Sequence, residues 1–155
     1  MGLFIHRKKY IMTKRILILC TGNSCRSQMA EGFLKSFDAS LEVHSAGTKA
    51  APRVHPKAIQ VMSEIGIDLS AHYPKTVDQF IAQPFDYVVT VCGNAKETCP
   101  VFTGSVKHRL HIGFDDPADA TGTDEEILSV FRRVRNEIKR DFFEFYSNTV
   151  AKEET

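Results

Sequence analysis

Apolar residues follow one another along this chain in two alternating rhythms. Ile16-Leu17-Ile18-Leu19 is a short unbroken run that predicts a strand buried on both faces, and from Met29 through Phe33 to Phe37 the spacing turns helical. Leu41–Ala46 predicts a second strand, closed by Gly47. Pro56 opens a helix at the favoured first-turn position, with Ile59, Met62 and Ile65 on one face and Gly66 ending it. A short helix is expected over Thr76–Ala82, a third strand over Phe85–Val91 and a fourth over Val106–Ile112. The last helix is the clearest: Thr123 and Glu126 make a capping box, and Ile127, Phe131, Val134, Ile138, Phe142 and Phe145 form a core stripe. Arg132, Arg133 and Arg135 are then left on a solvated face. Strand and helix alternate without an internal repeat. The pattern predicts an α/β single-domain three-layer sandwich, a four-stranded parallel sheet with helices on both faces.

At 155 residues the chain suits one domain, read as 14–150 behind an amino-terminal extension, 1–13, to which no function is assigned. Met12 is a candidate natural start within that extension. A net charge of +1 gives no reason to expect nucleic acid or membrane as a partner, and the apolar run from Ile16 is too short for a signal-peptide core or a membrane span. Four cysteines in a chain of this size do not suggest a secreted disulfide framework, and the lack of a Cys-x-x-Cys pair argues against a structural zinc site. A cytoplasmic protein with reduced thiols is expected.

Between the first strand and first helix runs Cys20-Thr21-Gly22-Asn23-Ser24-Cys25-Arg26-Ser27. Ligands of open α/β sheets bind beyond the carboxyl ends of the strands, and a helix N-terminus favours anions. A thiol there is expected to lose its proton easily, since cysteines at such positions fall to roughly 3.5–7.5. Arg26 adds a planar fork of donors suited to a tetrahedral oxyanion. Anion cradle and nucleophile thus share a loop, whereas a bare Cys and Arg at this spacing arise by chance in many chains. Asp115-Asp116-Pro117 follows the fourth strand, and a carboxylic acid there can protonate a departing oxygen, although Asp-Pro also marks ordinary turns. Cys92 and Cys99 bracket a segment just after the third strand. Were it helical they would stand about 10 Å apart, beyond the roughly 7 Å a disulfide tolerates, so pairing needs the segment to unwind or loop out. Cys25 is either filler or an off-pathway partner for Cys20.

With these residues assembled, the chain resembles the thioredoxin-coupled arsenate reductases, which share the low-molecular-weight tyrosine phosphatase fold. The likeness runs from about Lys14 to Phe145 and is strongest at Ile18–Gly32, Ser45-Ala46-Gly47, Val89–Cys92 with Cys99-Pro100, and Gly113–Pro117. It implies that Cys20 attacks arsenate held by Thr21 through Ser27, with phosphate and sulfate as competing anions. Asp116 protonates the leaving oxygen, and Ser27 supports the thiolate. A Cys20–Cys92 disulfide then passes to Cys92–Cys99, which thioredoxin reduces; no bound cofactor or metal is implied, and a monomer is expected. Many relatives bind potassium near the loop. Asn23, Glu31 and Ser45 match three of the ligands, and Lys75 stands where the fourth is an aspartate, so its ammonium is expected at the cation position. The alternative is a low-molecular-weight protein tyrosine phosphatase acting through a phosphocysteine on Cys20. Against it, Ala118 and Asp119 stand where such phosphatases place tyrosines, and Gln28 replaces their usual proline. A non-catalytic thiol sensor is the third reading, and it leaves Arg26 and Asp116 without a task.

Overall fold

The structure, a computed structural model, describes residues 13–93 and 99–152. Four strands, β1 (Arg15–Cys20), β2 (Glu42–Gly47), β3 (Phe85–Thr90) and β4 (Val106–His111), form a parallel sheet in the order β2-β1-β3-β4. Three α-helices connect and cover it: α1 (Arg26–Phe37), α2 (Pro56–Ser63) and α3 (Asp124–Phe145). The extension Met1–Ile11 lies outside the described residues, as does the interior of the segment between Cys92 and Cys99.

The unbroken apolar run of β1 is needed because the strand is central and both its faces are covered. Ile16 and Ile18 point with Tyr87 and Val89 of β3 into a cluster built by Met29, Phe33 and Leu34 of α1, Val61 and Met62 of α2, and Phe131, Ile138 and Phe142 of α3. Leu17 and Leu19 point the other way, with Val88, onto Phe80, Phe85 and Phe102. Among the described residues the α-helices therefore share one face, and a 3₁₀ turn at Val77–Gln79 with the loop carrying Phe102 covers the other. The helix expected over Thr76–Ala82 is reduced to that turn, because Phe80 is drawn into the second cluster and its N–H closes back on Val77 O at 2.9 Å.

Two helix faces differ from expectation. On α2 the buried residues are Ala58, Val61 and Met62, while Ile59 is half-buried and Ile65 is exposed; the helix stops at Ser63 and the chain turns away through Gly66, whose φ is +84°. On α3 Leu128 joins the stripe and Ile127 stays half-buried. Arg135 is buried rather than solvated. It donates to Val61 O at 2.9 Å and Glu64 Oε1 at 2.8 Å, satisfying a carbonyl in the last turn of α2 that would otherwise face apolar surroundings. The capping box of Thr123 and Glu126 is present in both directions.

Candidate active site

The loop from Cys20 to Arg26 is tied outward by its carbonyls. Lys49 N–H donates to Thr21 O, Ala51 N–H to Gly22 O, Gln28 Nε2 to Asn23 O, His55 N–H to Ser24 O and Met29 N–H to Cys25 O, all within 3.1 Å. In a trans peptide the following N–H points opposite to the carbonyl, so the N–H groups of residues 22–26 converge on the inside of the loop. Asn23 N–H reaches Cys20 Sγ at 3.1 Å. Asn23 sits at φ +53°, a left-handed conformation that asparagine tolerates better than most residues. Gly47 on the neighbouring strand is required for a different reason: a Cβ there would run into the Thr21 carbonyl. The first turn of α1 has neither a capping side chain nor an acidic residue, leaving its positive end for an anion.

Below the loop runs a directed chain of hydrogen bonds. Glu31 Oε1 accepts from Ser45 Oγ at 2.6 Å, and Ser45 Oγ accepts from Asn23 Nδ2 at 2.9 Å. The other Asn23 amide proton goes to Ser27 Oγ at 2.7 Å, and Ser27 Oγ lies 2.8 Å from Cys20 Sγ. Asn23 Oδ1 accepts from Gln28 Nε2 and from Lys75 N–H, which fixes the amide's orientation. Asn23, Ser27, Gln28, Glu31 and Ser45 are all buried.

Two sequence expectations change here. Burial pushes the Cys20 thiol up, against the lowering pull of the Ser27 hydroxyl, the Arg26 charge and Asn23 N–H. At 2% exposure the sulfur loses more by leaving water than the loop returns, so helix-end placement alone does not acidify it. The second correction concerns Lys75. Its ammonium donates to Tyr73 O at 2.9 Å and lies 4.9 Å over the Tyr73 ring. The ammonium at Glu31 is that of Lys35, 2.6 Å from Oε2, because helical spacing of four residues delivers it there. Burial raises the Glu31 carboxyl, but Lys35 and Ser45, with a smaller pull from the Lys75 charge, outweigh it and hold the group below its ordinary value.

Arg26 is 3% exposed; it donates to Phe114 O at 3.1 Å and approaches Asp116 Oδ2 at 3.4 Å. Asp116 caps the 3₁₀ turn Pro117–Asp119 by accepting from Ala118 N–H, so its second oxygen is the one left to face the arginine. Asp115 is drawn off to Arg133 of α3. Ala118 and Asp119 are exposed and put no aromatic wall beside the loop. Cys25 is buried, which pushes its thiol up to about 12. An open cleft of about 360 Å³ lined by Ser24, Arg53, His55 and Lys57 borders the loop. The Phe114 carbonyl, Lys35 and the Gln28–His72 contact of 2.9 Å were not foreseen; only Lys35 left a trace in the sequence, through its spacing from Glu31.

Cys92 is buried just beyond β3 and Cys99 is half-buried; no disulfide joins any of the four thiols. Leu19 pairs with Thr90, and Val91 N–H donates to Leu19 O at 3.0 Å, so Cys20 and Cys92 leave the carboxyl ends of adjacent central strands. Among the described residues no group of three or more His, Cys, Asp or Glu side chains is placed to hold a metal ion, and no helix is long and apolar enough to cross a membrane.

Residues 15–155 match the family described as low molecular weight phosphotyrosine protein phosphatase. An arsenate reductase of Halalkalibacterium halodurans is 54% identical over 129 residues, spanning 82% of this chain and 91% of that protein. Among solved structures, an arsenate reductase in the phosphate binding state superposes with a TM-score of 0.72 at 35% identity, covering 92% of this chain and all of the other. The thioredoxin-dependent arsenate reductase of Corynebacterium glutamicum superposes at 0.67 with 25% identity, covering 98% of this chain and 68% of that one.

Proposed function

The chain belongs to the low molecular weight phosphotyrosine protein phosphatase family, and within it we propose an arsenate reductase that works by a three-cysteine relay. The observation that carries this reading is the second buried cysteine, Cys92, just beyond the carboxyl end of the strand that pairs with the nucleophile's. A phosphatase has no use for it.

Arsenate enters the ring of inward N–H groups with Arg26 on its oxygens. Cys20 sulfur, its thiolate held by Ser27 and Asn23 N–H, bonds to arsenic. One oxygen departs as water, protonated by Asp116. Cys92 then attacks Cys20 sulfur: the Cys20–Cys92 bond forms, the sulfur–arsenic bond breaks, and its electron pair remains on arsenic as arsenite. Cys99 attacks Cys92 and releases Cys20, leaving a Cys92–Cys99 disulfide for thioredoxin to reduce. Each exchange carries the oxidising equivalent away from a sulfur too enclosed for a protein partner to reach. Lys35 against Glu31 supplies the positive charge beneath the loop. The chain's own residues carry out every step, with reducing equivalents drawn from thioredoxin.

The test follows NADPH oxidation with arsenate, thioredoxin and thioredoxin reductase for wild type and Cys99→Ser. Turnover that collapses in the variant supports the relay. Hydrolysis of an aryl phosphate by both, with no arsenate-dependent oxidation, would assign Cys20, Arg26 and Asp116 to phosphatase chemistry instead.

A further inference from the structure

The residues flanking Cys92 and Cys99 lie around a side chain outside the anion loop. His111 ends β4 opposite Thr90 in the β3 register, and its Nδ1 lies 2.7 Å from Thr90 Oγ1. The Thr90 hydroxyl also reaches Leu110 O at 3.4 Å, a carbonyl to which it can only donate. With that proton committed, the threonine oxygen accepts from Nδ1–H, which in the neutral ring makes Nε2 the acceptor nitrogen. Gly113 locates that nitrogen: a Cβ on it would fall 2.9 Å from His111 Nε2 and 2.8 Å from Cys92 O. One side of the imidazole thus borders the Cys92 main chain.

On the other side a cleft of about 300 Å³ is lined by Thr90, Arg109 and His111 together with Pro100, Val101 and Phe102, the residues that directly follow Cys99. Arg109 donates to Phe102 O and pins that end of the segment over β4. Among the described residues no carboxylate lines the cleft; Arg109 is the charged group that faces the imidazole there.

We propose that His111 is the base of the relay, accepting the Cys99 thiol proton as Cys99 attacks Cys92. The proposal rests on the relay described above. A thiol must lose its proton to act on a disulfide. The Cys99 proton passes to Nε2, the Cys99 sulfur bonds to Cys92 sulfur, and the Cys20–Cys92 bond breaks with its electron pair on Cys20. Cys20 regains a proton from the imidazolium through solvent. The disulfide moves without net oxidation, so no further reductant or oxidant enters.

Single-turnover experiments on the full chain separate the steps. Arsenate is added without thioredoxin, arsenite release is counted, and the disulfide is mapped by alkylation and mass spectrometry. Wild type should release one arsenite and finish as Cys92–Cys99. His111→Gln should still release arsenite but accumulate Cys20–Cys92, with exchange slowed about 100-fold, the scale of a lost general base. Added imidazole should restore exchange in His111→Ala in proportion to its concentration, a response that a structural role would not give. Thr90→Val, which keeps the ring but releases its tautomer, should slow the same step several-fold. Wild-type exchange rates in His111→Gln or Thr90→Val, or a folded His111→Ala deaf to imidazole, would overturn the assignment. Failure of the wild type to release arsenite would overturn the reductase reading and this proposal with it.

Discussion

Removing the Ser27 hydroxyl should be felt first at the Cys20 sulfur. Ser27 Oγ accepts from Asn23 Nδ2 at 2.7 Å, so its own proton is available to Cys20 Sγ at 2.8 Å. A hydrogen bond to a charged acceptor contributes about 1.5–3 kcal/mol, which at about 1.36 kcal/mol per unit is about 1–2 pKa units. Cys20 already stands above its ordinary value because of burial. Ser27→Ala should raise it further, cutting the thiolate present near neutrality about 10- to 100-fold. The assay is iodoacetamide capture across pH, in a chain whose other three cysteines are replaced by alanine. The expected result is a titration displaced to higher pH, with reactivity lost near neutrality and recovered in alkali. A calorimetric scan of the same variant separates this from unfolding, since Asn23 loses one acceptor but keeps Ser45. Superimposable titrations with and without the Ser27→Ala substitution would show that the hydroxyl proton does not serve the sulfur, and the directed chain from Glu31 would have to be redrawn.

Three further outcomes are expected. Asp116→Asn keeps an acceptor for Ala118 N–H but loses the acid, so kcat for arsenate should fall about 10²- to 10⁴-fold with KM within about twofold, measured in the thioredoxin-coupled assay. Gly47→Ala drives a Cβ into the Thr21 carbonyl; about 1–3 kcal/mol of stability should be lost by urea titration, and phosphate should no longer raise the melting temperature. Cys25 is held up to about 12 from an ordinary 9.0, so the unfolded chain releases that proton first. Its stabilising contribution is intact below pH 9 and declines as pH rises towards 12, and Cys25→Ala should flatten that part of the urea-midpoint curve.

β1 and β3 were legible because each is a short, largely apolar run, whereas β4 shows only Val106 and Leu110 among polar residues. Cys20 and Arg26 were legible because one loop joins a strand end to a helix start. What depends on distant packing was not. Spacing alone aligned Ile59, Met62 and Ile65, but α2 ends at Ser63 and leaves Ile65 outside. Nothing in the α3 pattern marks Arg135, which is buried because an α2 carbonyl needs it. Lys75 and Lys35 are both cations near the loop; helical spacing points Lys35 at Glu31, but that the Lys75 ammonium turns to Tyr73 O is decided by the fold. The Cys20 thiol was misjudged because a helix N-terminus is visible in sequence, whereas the 2% exposure opposing it is not.

The strand order β2-β1-β3-β4 has a bearing on how the molecule fails. Cys20 and Cys92 leave the carboxyl ends of β1 and β3, which are hydrogen-bonded side by side at the roughly 4.8 Å spacing of neighbouring strands. Those are the two interior strands, and core strands are the last part of a domain to open. Fraying of β2, of β4 or of the chain ends leaves their spacing untouched. Heat or denaturant should therefore part Cys20 from Cys92 only together with the centre of the sheet, whereas loosening of β2 or of the end of β4 acts on the reaction through Ser45 or Asp116 instead.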